Sequence, residues 1–189
     1  MIRLGVLGST KGSSLEPVLA AIQAGQLDAT VAVVISHRPE AGILARAGQY
    51  HVPAVYATTE RDILATLQTH EVEAVLLIGW MRLLSPSFVT VWQNRIFNVH
   101  PSLLPAFAGG MNESVHRDVL AAGCSESGCS VHRVTEVVDG GEVVIQKRCP
   151  VLPEDTVESL KHRVQMLEGE ALIELTRELE RTLCTNNRS

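Results

Sequence analysis

Two side chains near the middle of the chain have the types and spacing needed for acyl-group chemistry. Asn98 and His100 stand two residues apart and precede a rigid, apolar segment, residues 101–105. In an extended strand, residues two apart point to the same side, so the carboxamide and the imidazole would project together. An amide can stabilise a developing oxyanion, and an imidazole can move or donate a proton. The pair indicates transfer of an acyl-type group, although a histidine at a strand end more often has a structural role.

Asp139 is the partner that this histidine would need. It precedes Gly140 and Gly141 in a turn where aspartate is common for backbone reasons, so a purely structural role is the alternative. If its carboxylate reaches His100, it favours the charged imidazole and fixes the ring's orientation. We predict no metal site, because the other histidines lack the spacing of metal ligands: His37, His51, His70, His116, His132 and His162. The predicted strand that carries His132 could nevertheless approach the site.

A second candidate site is the loop Gly12, Ser13 and Ser14, between a predicted strand and a predicted helix. Backbone amides at a helix N-terminus bind anions such as phosphate, and Lys11 adds a positive charge. The full glycine-rich dinucleotide fingerprint is absent. Two interpretations of this loop therefore have equal weight: an anion site, or a tight turn for which Gly12 is needed only because of its backbone conformation.

Strands and helices alternate along the first hundred residues and must position these side chains. Apolar runs predict strands at 4–8, 30–36, 52–56, 74–79 and 95–99, and amphipathic patterns predict helices at 15–26, 40–49, 59–70 and 86–93. Capping signals are Ser14 for the first helix, with Pro17 in its first turn, and Thr58 or Thr59 for the third. The alternation predicts an α/β fold, Rossmann-like and doubly wound, with a mostly parallel sheet and helices on both faces. Ligands of such sheets bind beyond the carboxyl ends of the strands, which places the loops after Leu7, Ile78 and Val99 on one rim.

The pattern changes after residue 130. Strands at 130–134 and 142–149 are joined by the turn that holds Asp139, a connection too short for a crossover, so we expect antiparallel C-terminal strands. A final amphipathic helix is predicted at 157–183. The chain then reads as a single domain over residues 1–184, with a frayed tail at 185–189.

Composition excludes several functional classes. The 189 residues carry a net charge of −5 without a basic run, which argues against nucleic-acid and acidic-membrane partners. The longest apolar runs have only strand length, and the N-terminus lacks a signal-peptide pattern. The cysteines match no zinc spacing and are expected to be reduced thiols: Cys124, Cys129, Cys149 and Cys184. We therefore expect a cytoplasmic protein.

The candidate residues, in their order along the chain, resemble the folate-dependent phosphoribosylglycinamide formyltransferases of the formyltransferase superfamily. The resemblance extends from Met1 to about Glu170. It is carried by the segments 12–15 (GSSL), 79–86 (GWMRLLSP), 98–107 (NVHPSLLPAF), 128–132 (GCSVH) and 138–141 (VDGG). The string Asn-x-His-Pro-Ser-Leu-Leu-Pro with a later Asp is very specific to this superfamily.

The resemblance implies an activity and a role for each segment. An amine of glycinamide ribonucleotide would attack the formyl carbon of 10-formyltetrahydrofolate, a co-substrate, without a metal. Asn98 and protonated His100 would stabilise the oxyanion, and Asp139 would hold His100, so these three are the implied catalytic residues. The implied substrate-binding residues are Gly12, Ser13 and Ser14 at the phosphate, with Pro101 and Glu168. The implied folate-binding residues are Arg61, Met81, Arg82, Leu83, Leu84, Asn98, Thr135, Glu136, Val137, Val138 and Asp139.

Departures from the family pattern leave alternatives open. The first loop usually reads Ser-Gly-x-Gly-Ser-Asn but here reads Ser-Thr-Lys-Gly-Ser-Ser, and a Glu-His pair becomes Glu168-Gly169. One alternative is a formyltransferase acting on another amine, such as a nucleotide amino sugar, although such relatives generally carry an additional domain. Another is a non-catalytic Rossmann-type nucleotide-binding protein. The expected partners are small-molecule substrates, with the chain a monomer or homodimer.

Overall fold

Strands and helices alternate in the computed structural model, which describes residues 1–110 and 113–186. A short 3-10 turn, Ser13–Leu15, precedes the first helix. The strands are β1 (Ile2–Gly8), β2 (Ala29–Ser36), β3 (Ala54–Tyr56), β4 (Ala74–Ile78), β5 (Ile96–His100), β6 (Glu126–Arg133) and β7 (Val143–Pro150). The helices are α1 (Glu16–Gln23), α2 (Gly42–Gln49), α3 (Glu60–Thr69), α4 (Pro86–Val91), α5 (Glu113–Ala121) and α6 (Val157–Asn186).

All seven strands of the described residues form one sheet, in the order β3-β2-β1-β4-β5-β6-β7. The first five in sequence pair in parallel, whereas β6 runs antiparallel to both β5 and β7. The predicted fold class is therefore confirmed, including the antiparallel C-terminal strands. Because β1 has β2 on one side and β4 on the other, the strand order reverses there. Such a switch point opens a crevice at the carboxyl ends of the strands.

Helices cover both faces of the sheet and enclose two apolar clusters. The larger cluster packs α1, α2 and α6 against inward side chains such as Leu4, Val6 and Leu76. The second packs α3 and α4 against Leu7 and Ile35 on the opposite face. All five residues of β4 are buried. Burial on both faces explains its uninterrupted apolar sequence, since a strand covered on one face only would alternate.

The start of the first helix differs from the prediction. Ser14 does not cap it: Ser14 lies within the 3-10 turn, its hydroxyl donates to the carboxyl group of Glu168, and the N-cap of α1 is Leu15, which makes no side-chain hydrogen bond. Pro17 lies in the first turn as predicted. The helix ends near Gly25, which adopts a left-handed conformation (φ 69°). At the third helix, Thr59 is the cap, and its hydroxyl accepts a hydrogen bond from the Asp62 amide at 3.1 Å.

Three further elements differ from the sequence-based expectation. Helix α5 was not predicted, and β6 begins at Glu126, four residues earlier than expected. Helix α6 continues through residues 185 and 186, which were expected to fray; the rest of that expected tail, residues 187–189, lies outside the described residues. Within the described part of the chain, no helix is long and apolar enough to cross a membrane.

Candidate active site

A cavity of about 950 Å³ opens at the carboxyl ends of β1, β4 and β5. The loops that follow these strands line it, as the parallel topology predicted. Both candidate sites from the sequence face it: the loop 12–14 and the polar group of Asn98, His100 and Asp139. The fold thus brings the predicted anion-binding loop and the predicted catalytic residues into one cavity.

Asp139 lies at the centre of a cluster of four polar side chains. Its Oδ2 is 3.3 Å from Nδ1 of His100, and its Oδ1 is 3.3 Å from Nε2 of His132. Asn98 contacts the same group through Nδ2, which is 3.5 Å from Oδ1 of Asp139 and 3.0 Å from Nε2 of His132. A contact of 3.5 Å is weak, so one N–H of Asn98 can turn toward a ligand at little cost.

Strand geometry explains how these groups meet. Asn98 and His100 lie two residues apart on β5 and therefore project to the same side. His132 pairs directly with Asn98 across the antiparallel β5–β6 ladder. Asp139 follows β6 in a left-handed conformation (φ 50°), which aspartate tolerates better than most residues. Its Oδ2 accepts a hydrogen bond from the Gly109 amide at 2.8 Å, which fixes the turn to the loop after β5.

The two nitrogens of His100 both face oxygen acceptors. Nε2 lies 3.1 Å from the carbonyl oxygen of Phe107, and Nδ1 faces Asp139. Only the charged imidazole can donate to both. Burial nevertheless lowers the pKa of His100 by more than Asp139 and the Phe107 carbonyl raise it, so the net pKa lies below the usual value. The expected influence of Asp139 has the right direction, but it does not overcome burial, and the ring is mainly neutral at pH 7.

The carboxyl group of Asp139 has the opposite balance. Burial raises its pKa, but hydrogen bonds from His132 and the Gly109 amide, together with the nearby charge of His100, lower the pKa by more. The net pKa lies below the usual range. Asp139 is therefore ionised throughout the physiological pH range and can stabilise positive charge on His100 when that ring takes up a proton.

The loop 12–14 closes the other end of the cavity. Gly12 adopts a left-handed conformation (φ 66°), and a Cβ there would lie 2.4 Å from Cγ1 of Ile43, so only glycine fits. The following serine pair begins the 3-10 turn. Ser14 donates to the buried carboxyl group of Glu168 on α6, and burial raises the pKa of Glu168 to about 7 against the lowering effect of that hydrogen bond.

Most of the other predicted residues also line the cavity. They are Pro101, the segment 81–84 after β4, and the segment 135–138 that precedes Asp139. Arg61 is the exception. Because α3 buries Ile63 and Leu67 against the sheet, Arg61 in its first turn is exposed to solvent and lies outside the cavity lining. Arg82 is among the basic side chains that do line the cavity, and its guanidinium donates to the Thr58 carbonyl at 2.6 Å.

Several lining residues were not singled out from the sequence. His116 on α5 is buried, and burial, followed by the charge of Lys161, lowers its pKa to about 4. Lys161 on α6 forms an ion pair with Glu113 on α5 at 2.7 Å, which ties the two helices together beside the cavity. An amphipathic pattern over 113–121 was the signal that could have revealed this helix. Among the described residues, no group of three or more His, Cys, Asp or Glu could hold a metal ion, and metal independence stays a prediction.

Comparison with known proteins gives consistent similarities. The family described as formyl transferase matches residues 2–176. The phosphoribosylglycinamide formyltransferase of Haemophilus influenzae is 36% identical over 177 residues, 89% of this chain and 82% of that protein. The trifunctional purine biosynthetic protein adenosine-3 of Chironomus tentans is 38% identical, but the chain spans only 13% of its length.

Solved structures agree on the fold. Glycinamide ribonucleotide transformylase 1 from Symbiobacterium toebii superposes with a TM-score of 0.87 at 39% identity, over 94% of this chain and 86% of that one. A formyltetrahydrofolate deformylase from Pseudomonas syringae has a TM-score of 0.86 over 95% of this chain and 62% of that one. At 22% identity, the deformylase shows the shared fold alone.

Proposed function

The chain belongs to the formyl transferase family, and we propose that it transfers the formyl group of 10-formyltetrahydrofolate to the amine of 5'-phosphoribosylglycinamide, a step of de novo purine biosynthesis. One observation carries this proposal. The Asn98, His100 and Asp139 cluster and the anion-binding loop 12–14 line the same cavity. A cavity with both features suits a reaction between a formyl donor and a phosphorylated acceptor.

The proposed roles follow from the charges and hydrogen-bonding groups of the cluster. As the formyl oxygen gains negative charge, an N–H of Asn98 donates to it, because its contact with Asp139 is weak. His100, held between Asp139 and the Phe107 carbonyl, carries a proton at the moment of charge development. Ionised Asp139 keeps that ring oriented and stabilises its positive charge. His132, on the neighbouring strand, donates to Asp139 and helps to hold its carboxylate in place.

The cavity also has the surface that a reduced folate needs. 10-Formyltetrahydrofolate supplies the activated formyl group, and its benzoyl ring and the faces of its pterin offer apolar surface, whereas the pterin edge carries hydrogen-bonding groups. Leu83 and Val137 line the cavity with 73% and 67% of their surfaces exposed, and Val138 and Leu84 lie next to them. Exposed apolar side chains at a cavity wall are typical of a ligand surface rather than of a solvated loop. We therefore assign segments 81–84 and 135–139 to the folate, with Arg82 in place of Arg61 as the nearby cation.

The acceptor would occupy the other end. Gly12, Ser13 and Ser14 offer backbone amides to its phosphate, and Glu168 is available for ribose hydroxyls. Pro101 lines the cavity between the two ends. A second candidate acceptor is another amine, such as a nucleotide amino sugar. The feature behind this alternative is the altered first loop, in which Ser14 stands where the family usually has asparagine, a change that removes one side-chain donor for the acceptor.

The test combines turnover with a substitution. Purified protein is mixed with 10-formyl-5,8-dideazafolate and glycinamide ribonucleotide, and the absorbance of the deformylated product is followed. We expect turnover, and His100→Ala should lower it about 100- to 10,000-fold while the fold remains. Turnover with a nucleotide amino sugar and none with glycinamide ribonucleotide would refute the proposed acceptor. Folate binding without transfer to either amine would support a non-catalytic binding protein instead.

This proposal involves small molecules only, without nucleic acid or membrane partners. A cytoplasmic location and a monomeric or homodimeric state stay predictions.

A further inference from the structure

The hydroxyl group of Ser9 joins three loops at the carboxyl rim of the sheet. Ser9 follows β1, is buried and lines the cavity. Its backbone amide donates to the Gly79 carbonyl at 3.1 Å, and its Oγ accepts from the Met81 amide at 3.4 Å, so it holds the loop after β4 twice. The same Oγ lies 2.9 Å from Nδ1 of His37, the first residue after β2.

The hydrogen bonds at Ser9 favour one state of His37. Because Oγ accepts the Met81 N–H, its own proton is available for Nδ1 of His37. Nδ1 can accept only when the imidazole is neutral and carries its proton on Nε2. Burial, followed by the positive charges of Arg82 and Arg38, lowers the pKa of His37 against a raising effect of Glu40, which favours that neutral form.

The ring of His37 is also held by Trp80. The two ring centroids are 4.7 Å apart with planes at 85°, an edge-to-face arrangement. Trp80 itself lines the cavity immediately before the segment assigned to folate, whereas His37 is not among the lining residues. His37 therefore acts on ligands only through neighbours. Those neighbours are Ser9, which precedes the acceptor loop, and Trp80, which precedes the folate segment.

We propose that His37 is a positioning residue for formyl transfer. By accepting the Ser9 hydrogen bond, with Trp80 only orienting its ring, it holds the folate segment 81–84 in a fixed position relative to the acceptor loop 12–14. The proposal rests on the proposed function. It assigns a role to a histidine that neither touches substrate nor belongs to the cluster around Asp139. Its loss should weaken productive binding of both substrates, because its partner Ser9 precedes the acceptor loop and holds the Met81 amide of the folate segment.

Two substitutions separate the two contacts of His37. His37→Phe keeps a ring against Trp80 but removes the acceptor for Ser9. His37→Asn keeps an acceptor near the position of Nδ1 but removes the ring. Ser9→Ala and the double variant Ser9→Ala/His37→Phe complete a cycle that tests whether both residues act through one hydrogen bond. KM for both substrates, kcat and the unfolding temperature are measured for every variant.

We expect His37→Phe to raise KM for both substrates about 3- to 10-fold, the range of one neutral hydrogen bond, with a smaller change in kcat. His37→Asn should restore KM to within about twofold of the wild type, and the double variant should resemble Ser9→Ala alone. Unchanged KM values in His37→Phe would overturn the proposal. Equal increases of KM in His37→Asn and His37→Phe would also overturn it, and so would KM increases that multiply in the double variant. A histidine with a merely structural role would give these two results together with a lowered unfolding temperature.

The wild-type protein keeps this test separate from the proposed function. If it fails to formylate glycinamide ribonucleotide, the proposed function fails. The positioning role is then read from calorimetric affinity for 10-formyl-5,8-dideazafolate in the same variants. Tighter binding by the wild type and by His37→Asn than by His37→Phe supports the positioning role, and equal affinities in the three proteins overturn it.

Discussion

Replacing Asp139 with asparagine tests the central argument about the site. The substitution keeps the size of the side chain but removes its charge and one of its two acceptor oxygens. Oδ2 now accepts from the Gly109 amide at 2.8 Å and faces His100, while Oδ1 faces His132 and Asn98. An asparagine can direct its single oxygen to only one of these pairs. Its amide N–H groups then confront donors on the other side.

The size of the effect follows from the pKa of His100. Burial already lowers that pKa, and the charge of Asp139 is the first influence opposing it. Without the carboxylate, a charged His100 becomes rarer and less well oriented at the moment when the formyl oxygen gains charge. Loss of a positioned acid–base group typically costs about 100- to 10,000-fold in rate, or about 3–5 kcal/mol in the barrier. A single lost hydrogen bond to a charged group, worth about 1.5–3 kcal/mol, would account for only the lower part of that range.

Single-turnover formyl transfer at pH 7.5 measures this effect directly. We expect the rate to fall about 100- to 10,000-fold, while KM for the acceptor stays close to the wild-type value because the loop 12–14 is untouched. Glu142→Gln is the matched control: it removes an exposed carboxylate from the same hairpin, one that pairs with Arg133 at 3.0 Å. A folded Asp139→Asn variant with a rate within about tenfold of the wild type would refute the assigned role, since acid–base loss costs more than that.

Two further substitutions test the loop packing and the buried carboxyl group. Gly79→Ala should destabilise the fold by more than about 1 kcal/mol and raise KM for both substrates, because its left-handed backbone (φ 59°) would place a Cβ 2.3 Å from Oγ1 of Thr10. Gly25→Ala has a similar φ of 69° but meets nothing within 4 Å, so an equal loss of denaturation free energy in both variants would contradict this packing argument. Glu168→Gln should stabilise the protein at pH 8 but not at pH 5. The folded protein raises the pKa of the Glu168 carboxyl from 4.5 to about 7 and so favours its protonated form. The wild type therefore loses folding stability as the pH rises from 4.5 to 7, and the loss is complete above pH 7. The loss amounts to about 3 kcal/mol in the free energy of unfolding and is measured by urea denaturation at the two pH values. The same pH dependence in wild type and variant would contradict this prediction.

Much of the fold could be predicted because it depends on local patterns. The uninterrupted apolar run at 74–78 identified a strand covered on both faces, and the alternation of strands and helices predicted the parallel sheet. Helix α5 escaped prediction although its nine residues carry an amphipathic pattern, because it is short and follows two glycines that indicate a loop. The cap at Ser14 was mispredicted because its hydroxyl group bonds to Glu168, a residue 154 positions away in the sequence that only the folded chain brings near.

The sequence by itself determined which side chains could perform the chemistry and that they would meet at one rim. Strand period and parallel topology guarantee that Asn98 and His100 share a side and that loops after parallel strands lie together. Only the tertiary structure decided the proton affinities and the neighbours from distant segments. His132 reaches the cluster through the β5–β6 pairing, Arg82 rather than Arg61 reaches the cavity, and burial keeps His100 mainly neutral. The reason is physical: a side chain's direction follows from its own strand, whereas its pKa sums the burial and charge of everything packed around it.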